Sequence, residues 1–214
     1  MNVTEALSKR RSVRAFLSTP VPSEKLTAIF EAAARTPSWA NSQPWEVFVA
    51  TGEALEKIKK GYAENYANKT STAPEMQRPT AWTDAAVKRR EQLNPGMQRD
   101  CGDAARQFGK LNQEMFNTPA VIYICVDKLL SEWSLYDIGA YAQSLMLAAT
   151  EHGLGTIPAM TLTVFPDILH RELQIPENLK VTIGIAIGYT DTENAINNFV
   201  SERSPMAENV HISE

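Results

Sequence analysis

Seven apolar residues in succession, Ala120-Val121-Ile122-Tyr123-Ile124-Cys125-Val126, most constrain what this chain can fold into. A run with no polar alternate marks a strand buried on both faces. A second constraint follows soon after in sequence. From Trp133 to His152, small residues (Gly139, Ala140, Ala142, Ser144, Ala148, Ala149) interleave with Leu135, Ile138, Leu145, Met146 and Leu147 round most of a helix's circumference. A helix apolar nearly all round is buried, either in a core or in a subunit interface. Gly153-Leu154-Gly155 ends it, and His152 suits its C-terminus.

The rest of the chain supplies partners for these two elements. Glu46–Thr51 and Val181–Tyr189 read as further strands, and Thr156–Thr163 as a short apolar stretch around Pro158. Val3, Ala6 and Leu7 give a short helical pattern. Ser23 reads as the N-cap of a helix carrying Leu26, Ile29, Phe30 and Ala33 to about Arg35, with Pro37 as its stop. Glu53 to about Asn68 predicts a helix with Leu55, Ile58, Tyr62 and Tyr66 on one side, and Phe165–Leu173 another. Asn68–Trp82 is an irregular loop by composition. Ala85–Phe116 is helical in propensity, interrupted at Asn94-Pro95-Gly96 and too poor in large apolar residues to build its own core, so it reads as a peripheral excursion. With about four strands, no repeats and no dividing linker, residues 1–214 predict one α+β domain.

Composition excludes several function classes. A net charge of −4 and a pI near 5.5 argue against nucleic acid or an anionic membrane as a partner. No apolar run approaches the roughly 20 residues of a membrane helix. Met1–Glu5 does not open a signal peptide, and two cysteines, Cys101 and Cys125, without metal spacing point to a reducing cytoplasm. The three histidines, His152, His170 and His211, share no ligand spacing, so no metal site is expected. Neither a Gly-x-Gly-x-x-Gly turn nor a Gly-Lys-Ser/Thr loop occurs, which disfavours a Rossmann fold and a P-loop.

The chemistry-bearing stretch is Arg10-Arg11-Ser12-Val13-Arg14-Ala15-Phe16. Val13, Ala15 and Phe16 call for burial, so the segment lies on the core with its arginines aimed at something. Guanidinium forks match phosphate oxygens in pairs and stay charged at any relevant pH, which makes a phosphate monoester the best candidate. Pro37-Ser38-Trp39-Ala40-Asn41-Ser42-Gln43-Pro44-Trp45 is too broken for regular structure, yet holds two tryptophans whose rings must be buried against something. It is either a packed connector or a ligand loop. The polar tail, from about residue 190, carries Arg203 and needs a surface to dock on.

Together these stretches resemble the FMN-dependent nitroreductase family. The resemblance rests on the arginine segment and the Pro37–Trp45 loop. It continues through Asp137-Ile138-Gly139, Leu147-Ala148-Ala149, Gly153-Leu154-Gly155-Thr156, Gly184–Tyr189 and Arg203-Ser204-Pro205, and so spans nearly the whole chain. It implies an α+β nitroreductase-like fold, with a mostly antiparallel central sheet flanked by helices. It also implies a homodimer holding two FMN molecules at its interface, with the C-terminal arm (about 190–214) wrapped over the partner. By motif, Arg10 and Arg203 bind the FMN phosphate with Arg11 and Ser12 beside them, and Arg14 lies near the pyrimidine edge of the flavin, where a cation raises the reduction potential. Pro37, Ser38, Trp39 and Asn41 line the ribityl chain and ring. Ser201 falls where some family members have a second cation. Ile157–Thr161 matches the strand along the flavin's edge, so that Pro158 lies there and a backbone N–H of Ala159 or Met160 meets N5; no protein side chain is singled out as catalytic.

The activity implied is hydride transfer by ping-pong kinetics. NADH or NADPH is the donor, and a nitroaromatic, quinone or similar electron-deficient aromatic is the acceptor. Residues 68–116 form the lid, with Trp82, Phe108 and Phe116 as candidate lid aromatics. Two alternatives use the same frame. One is a reductive dehalogenase-type relative, with Lys88, Arg89, Arg90 and Arg99 facing a charged substrate; the other is a non-catalytic flavin- or anion-binding dimer.

Overall fold

β2 (Ala120–Asp127) is buried from Ala120 to Val126, as its apolar run requires. In this computed structural model, which describes residues 1–213, β2 is paired on both sides. β1 (Glu46–Thr51) lies on one side and β4 (Leu179–Gly188) on the other, and β3 (Gly155–Ala159) completes a sheet of order β1-β2-β4-β3. Every pairing is antiparallel. Side chains alternate across the pleat, so β2 feeds two cores. Val121, Tyr123 and Cys125 join one; Ala120, Ile122, Ile124 and Val126 join the other.

The second of these cores is closed by α2 (Ser23–Ala33) and α7 (Glu132–Glu151), through Ile29, Ala33, Ile138, Tyr141, Leu145 and Ala149. α1 (Val3–Lys9) precedes them and buries Ala6. The first core is closed by α3 (Gly52–Ala67), α8 (Pro166–Leu173), α5 (Leu93–Cys101) and α6 (Phe108–Gln113), while α4 (Asp84–Glu91) buries none of its residues.

Several local expectations need correction. Ser23 is the first helical residue rather than the cap: the Pro22 carbonyl takes the Lys25 and Leu26 amides, and the Ser23 hydroxyl turns to Glu24 at 3.4 Å. That helix ends at Ala33, before Pro37 can act, because the Thr36 amide and hydroxyl both return to the Ala33 carbonyl. The break between α4 and α5 falls at Gln92. α5 runs through Asn94-Pro95-Gly96, since Pro95 sits in the first turn where no amide partner is needed. Nor is Ala85–Phe116 peripheral throughout. Met97, Cys101, Leu111, Met115 and Phe116 are buried with Tyr62, Phe165 and Phe199, so its few large apolar residues serve a shared core.

α7 is not covered all round within one chain. Trp133 and Tyr136 near its N-terminus are 65% and 73% exposed. The two tryptophans of the Pro37–Trp45 loop also part company. Trp45 stacks on Tyr141 of α7 (ring centroids 4.5 Å, planes 14° apart), whereas Trp39 stays 68% exposed.

Candidate functional site

The arginine segment is fixed to the sheet edge by its own backbone. The Val13 amide donates to the Thr156 carbonyl at 3.0 Å, Ser12 bridges to Thr156 of β3, and Phe16 bridges to Thr190. Val13, Ala15 and Phe16 are buried, while Arg10, Ser12 and Arg14 are half-buried and Arg11 is exposed. The approach is close enough to require glycine at 155: a Cβ there would stand 2.5 Å from Val13 Cγ2 and 2.6 Å from Thr190 Oγ1. The chain comes back from the sheet to meet the segment at Asn197. Its Oδ1 accepts from the Arg14 and Ala15 amides (2.7 and 3.2 Å), and its Nδ2 donates to the Ala15 and Asp191 carbonyls (2.8 and 2.9 Å).

Arg10, Arg11, Ser12 and Arg14 form one wall of a small pocket; Phe199, Val200, Ser201 and Arg203 form the other. Among the described residues, none of the four arginines has a carboxylate partner. Burial pushes the Arg10 pKa down, and the nearby Arg203 cation pushes the same way. Burial also pushes the Arg14 pKa down. Arg14 lies over the Phe199 ring at 4.9 Å and the Phe108 ring at 5.8 Å, and its Nη1 donates to the Ser12 carbonyl at 2.9 Å. Its buried Nε has no partner, nor does the buried Thr156 hydroxyl in the residue bridged to Ser12. Arg203 is exposed and folded back, its Nη1 donating to Ser201 Oγ at 2.7 Å and to the Ser201 carbonyl at 2.9 Å. Ser201 thus orients the arginine as an acceptor, where a second cation would repel it.

The remaining candidates are spread more widely. Pro37, Ser38, Trp39 and Asn41 do not line this pocket. Their loop is docked on α7, where the buried Asp137 accepts from the Trp39 amide at 3.1 Å. Ala40, Asn41 and Gln43 hold φ values of 50°, 56° and 44°, left-handed backbone that non-glycine residues adopt at a cost. The Gln43 amide closes the turn on Ser38 Oγ at 2.9 Å. Pro158 and Ala159 end β3, but Met160 already begins a 3-10 turn (Met160–Thr163), so the expected strand over 157–161 stops two residues short. Pro158 and Met160 are exposed and Ala159 half-buried.

Of the candidate lid aromatics, Phe116 is fully buried in the core and is withdrawn. Phe108 reaches the Arg14 guanidinium, and Trp82 lies under Arg90 at 4.3 Å. Arg99 pairs with Asp100 and Glu202. Of the four lid cations, that leaves Lys88 and Arg89 outside an ion pair or a ring contact, with Arg89 at 3.5 Å from Ser204 Oγ. A groove of ≈ 1180 Å³ between α4, α5 and the tail shares Phe199, Val200, Ser201 and Arg203 with the arginine pocket. Its lining mixes both signs, including Asp84, Glu91 and Glu208 with Lys88 and Arg89. Asn197, Asp137 and Phe199 were not singled out as site residues from sequence. Asp137 had a signal, an acid beside Ile138 within the largely apolar middle of α7. Asn197 and Phe199 had none.

Four guanidinium groups around one pocket, two of them depressed in pKa by burial, form a site that gains from a dianion. Arg10, Arg11 and Arg203 with the Ser12 hydroxyl, none of them paired with a carboxylate, fit the phosphate end of a flavin mononucleotide, and the unpartnered Arg14 Nε leaves a further donor free beside it.

Comparison with known proteins bears on the same point. Residues 7–189 match the model of the Nitroreductase family. The chain is 30% identical over 210 residues to nitroreductase NfnB of Mycolicibacterium smegmatis, covering 95% of this chain and 89% of that one. It is 32% identical over 202 residues to a 4-nitrobenzoate reductase of Pseudomonas putida, covering 89% and 86%. The crystal structure of an FMN and NADPH-dependent nitroreductase NfnB from Sphigopyxis sp. strain HMH superposes with a TM-score of 0.93 at 29% identity, over 100% of both chains.

Proposed function

The chain belongs to the nitroreductase family, and from that premise we propose that it is an FMN-dependent oxidoreductase moving hydride from NAD(P)H to nitroaromatics, quinones or similar electron-deficient aromatics. The observation that carries the reading is the pocket of four arginines and Ser12, closed by the tail and free of carboxylates. FMN, when bound, supplies the hydride chemistry. The chain supplies grip, position and field. Arg10 and Arg203 hold the phosphate, with Arg11 and Ser12 beside them and Ser201 aiming Arg203. Arg14, seated between Phe108 and Phe199, presents a fixed cation to the pyrimidine side. Pro158, Ala159 and Met160 lie along the cofactor's reacting edge, where no carboxylate stands in Ile157–Thr161 to act as an acid.

Pro37, Ser38, Trp39 and Asn41 complete the ring side. They sit apart from the arginine pocket in one chain, and α7 beside them leaves Trp133 and Tyr136 uncovered. Both features support a homodimer with the cofactors at its interface; in this proposal the exposed parts of residues 68–116 act as lid and the tail from about residue 190 as arm of a single domain. The similar NfnB of Sphigopyxis sp. strain HMH is NADPH-dependent, which supports NADPH as a donor here. No helix among the described residues is long and apolar enough to cross a membrane. Both cysteines are free thiols, which supports a reducing cytoplasm as the enzyme's place.

Steady-state kinetics on FMN-loaded protein test the proposal. With NADPH and 4-nitrobenzoate varied together, parallel double-reciprocal lines are expected, because the donor product leaves before the acceptor binds. Intersecting lines, or no flavin-dependent turnover with any nitroaromatic or quinone, would overturn it.

A further inference from the structure

Asn197 is 3% exposed, a polar side chain set between the buried Ile196 and Phe199. A primary amide offers two donors and two acceptor positions. Here all four meet backbone: Oδ1 takes the Arg14 and Ala15 amides, and Nδ2 gives to the Ala15 and Asp191 carbonyls. Three of these bonds hold the N-terminal arm of the arginine pocket and the fourth holds the chain leading into the tail. Two residues further on, Phe199 lies under the Arg14 guanidinium, and Val200, Ser201 and Arg203 follow as the opposite wall. Arg10 and Arg203 stand on opposite walls and repel. One buried side chain therefore joins the two arms against a force that separates them.

We infer that Asn197 is a positioning residue that sets the spacing of the two arginine arms, and so gives the site its preference for a flavin carrying a phosphate over one without. The inference rests on the reading of the pocket as the FMN phosphate site. Asn197 touches no cofactor in this account; it acts through Arg14, Ala15 and the tail. Were it only a fold-holding residue, its loss would weaken every flavin alike.

The test titrates cofactor-stripped protein with FMN and with riboflavin, reading flavin fluorescence. Asn197→Leu keeps the shape, removes the four bonds and adds no charge; Asn197→Ser reads the same quantity should the leucine variant not fold. The expected result is FMN weakened about 10-fold or more and riboflavin by less than about 3-fold, the size expected for lost buried hydrogen bonds. Equal weakening of both ligands, or no change in either, would overturn the inference. Arg203→Ala is the control for the underlying reading. If it collapses the FMN-to-riboflavin ratio while Asn197→Leu leaves it intact, only the role of Asn197 falls. If it leaves the ratio intact, the phosphate reading falls and takes the inference with it.

Discussion

Asp137 puts a carboxylate on the apolar helix α7, 4% exposed, with its Oδ2 on the Trp39 amide at 3.1 Å. That contact anchors a loop whose backbone is left-handed at three non-glycine positions. Asp137→Asn retains an acceptor, whereas Asp137→Ala does not. The alanine variant should speed hydrogen exchange at the Trp39 amide by about 10-fold, the equivalent of about 1.4 kcal/mol, and the asparagine variant should not. Equal rates in the two would separate the loop from this carboxylate. The two thiols give a second residue-level expectation. Burial pushes both thiols up, Cys125 to about 12, so neither should react with a thiol reagent at neutral pH until the protein is unfolded. Rapid labelling of the native protein would contradict that. Residues were legible where their type conflicted with their setting. Arginines alternating with Val13, Ala15 and Phe16 announce charges held on a core. Asn197 carries no such conflict, because an asparagine in a polar tail looks like any other and its main partners lie 182 and 183 residues away.

At the scale of elements, the join between β3 and the arginine segment is the part with least room to move. Gly155→Ala places a Cβ within 2.6 Å of the Val13 and Thr190 side chains, so both must give way or the segment must move off the strand. A cost of about 1–3 kcal/mol in urea unfolding is expected, together with weaker FMN binding, since the displaced segment carries Ser12 and Arg14. Unchanged stability would mean that the segment is looser than its contacts imply. The elements themselves were largely readable. The continuous apolar run became β2, and the apolar stretches Glu46–Thr51 and Val181–Tyr189 became β1 and β4, because strands in a sheet covered on both faces are apolar along their length. Pro95 misled because a proline reads as a helix breaker unless its place in the first turn is known, and that place was set by where α4 ended. Phe116 misled because an aromatic in a polar helical stretch gives no sign of which side of the chain the core lies on.

For the whole molecule, the exposed Trp133 and Tyr136 on α7 and the exposed Trp39 are among the large apolar side chains that a single chain leaves uncovered. Sedimentation at micromolar concentration should return twice the 23.7 kDa chain mass, and a monomer would remove the homodimer from the account. The arginine pocket has a thermodynamic signature as well. Groups whose cationic form is disfavoured by folding cost stability at every pH below their lowered pKa, and a bound anion offsets that cost. FMN at about 100 times its dissociation constant should add about 2.7 kcal/mol, a rise of roughly 5–10 °C in melting temperature for a chain of this size. No such rise would contradict the fit of cofactor to pocket. The fold and family were legible at this scale because their motifs run the length of the chain. That Pro37, Ser38, Trp39 and Asn41 do not line the arginine pocket of one chain was not legible, because a motif says nothing of the distance between its segments.

The central claim is that this chain binds FMN and passes hydride from a nicotinamide to an aromatic acceptor. An anaerobic absorbance scan of the FMN-loaded protein, before and after one equivalent of NADPH and then of NADH on a fresh sample, tests it most directly. The account predicts flavin bands that bleach promptly and return when 4-nitrobenzoate is added, with the faster nucleotide identifying the donor. Bands that persist with both nucleotides, or a protein that cannot be loaded with FMN at all, would contradict it.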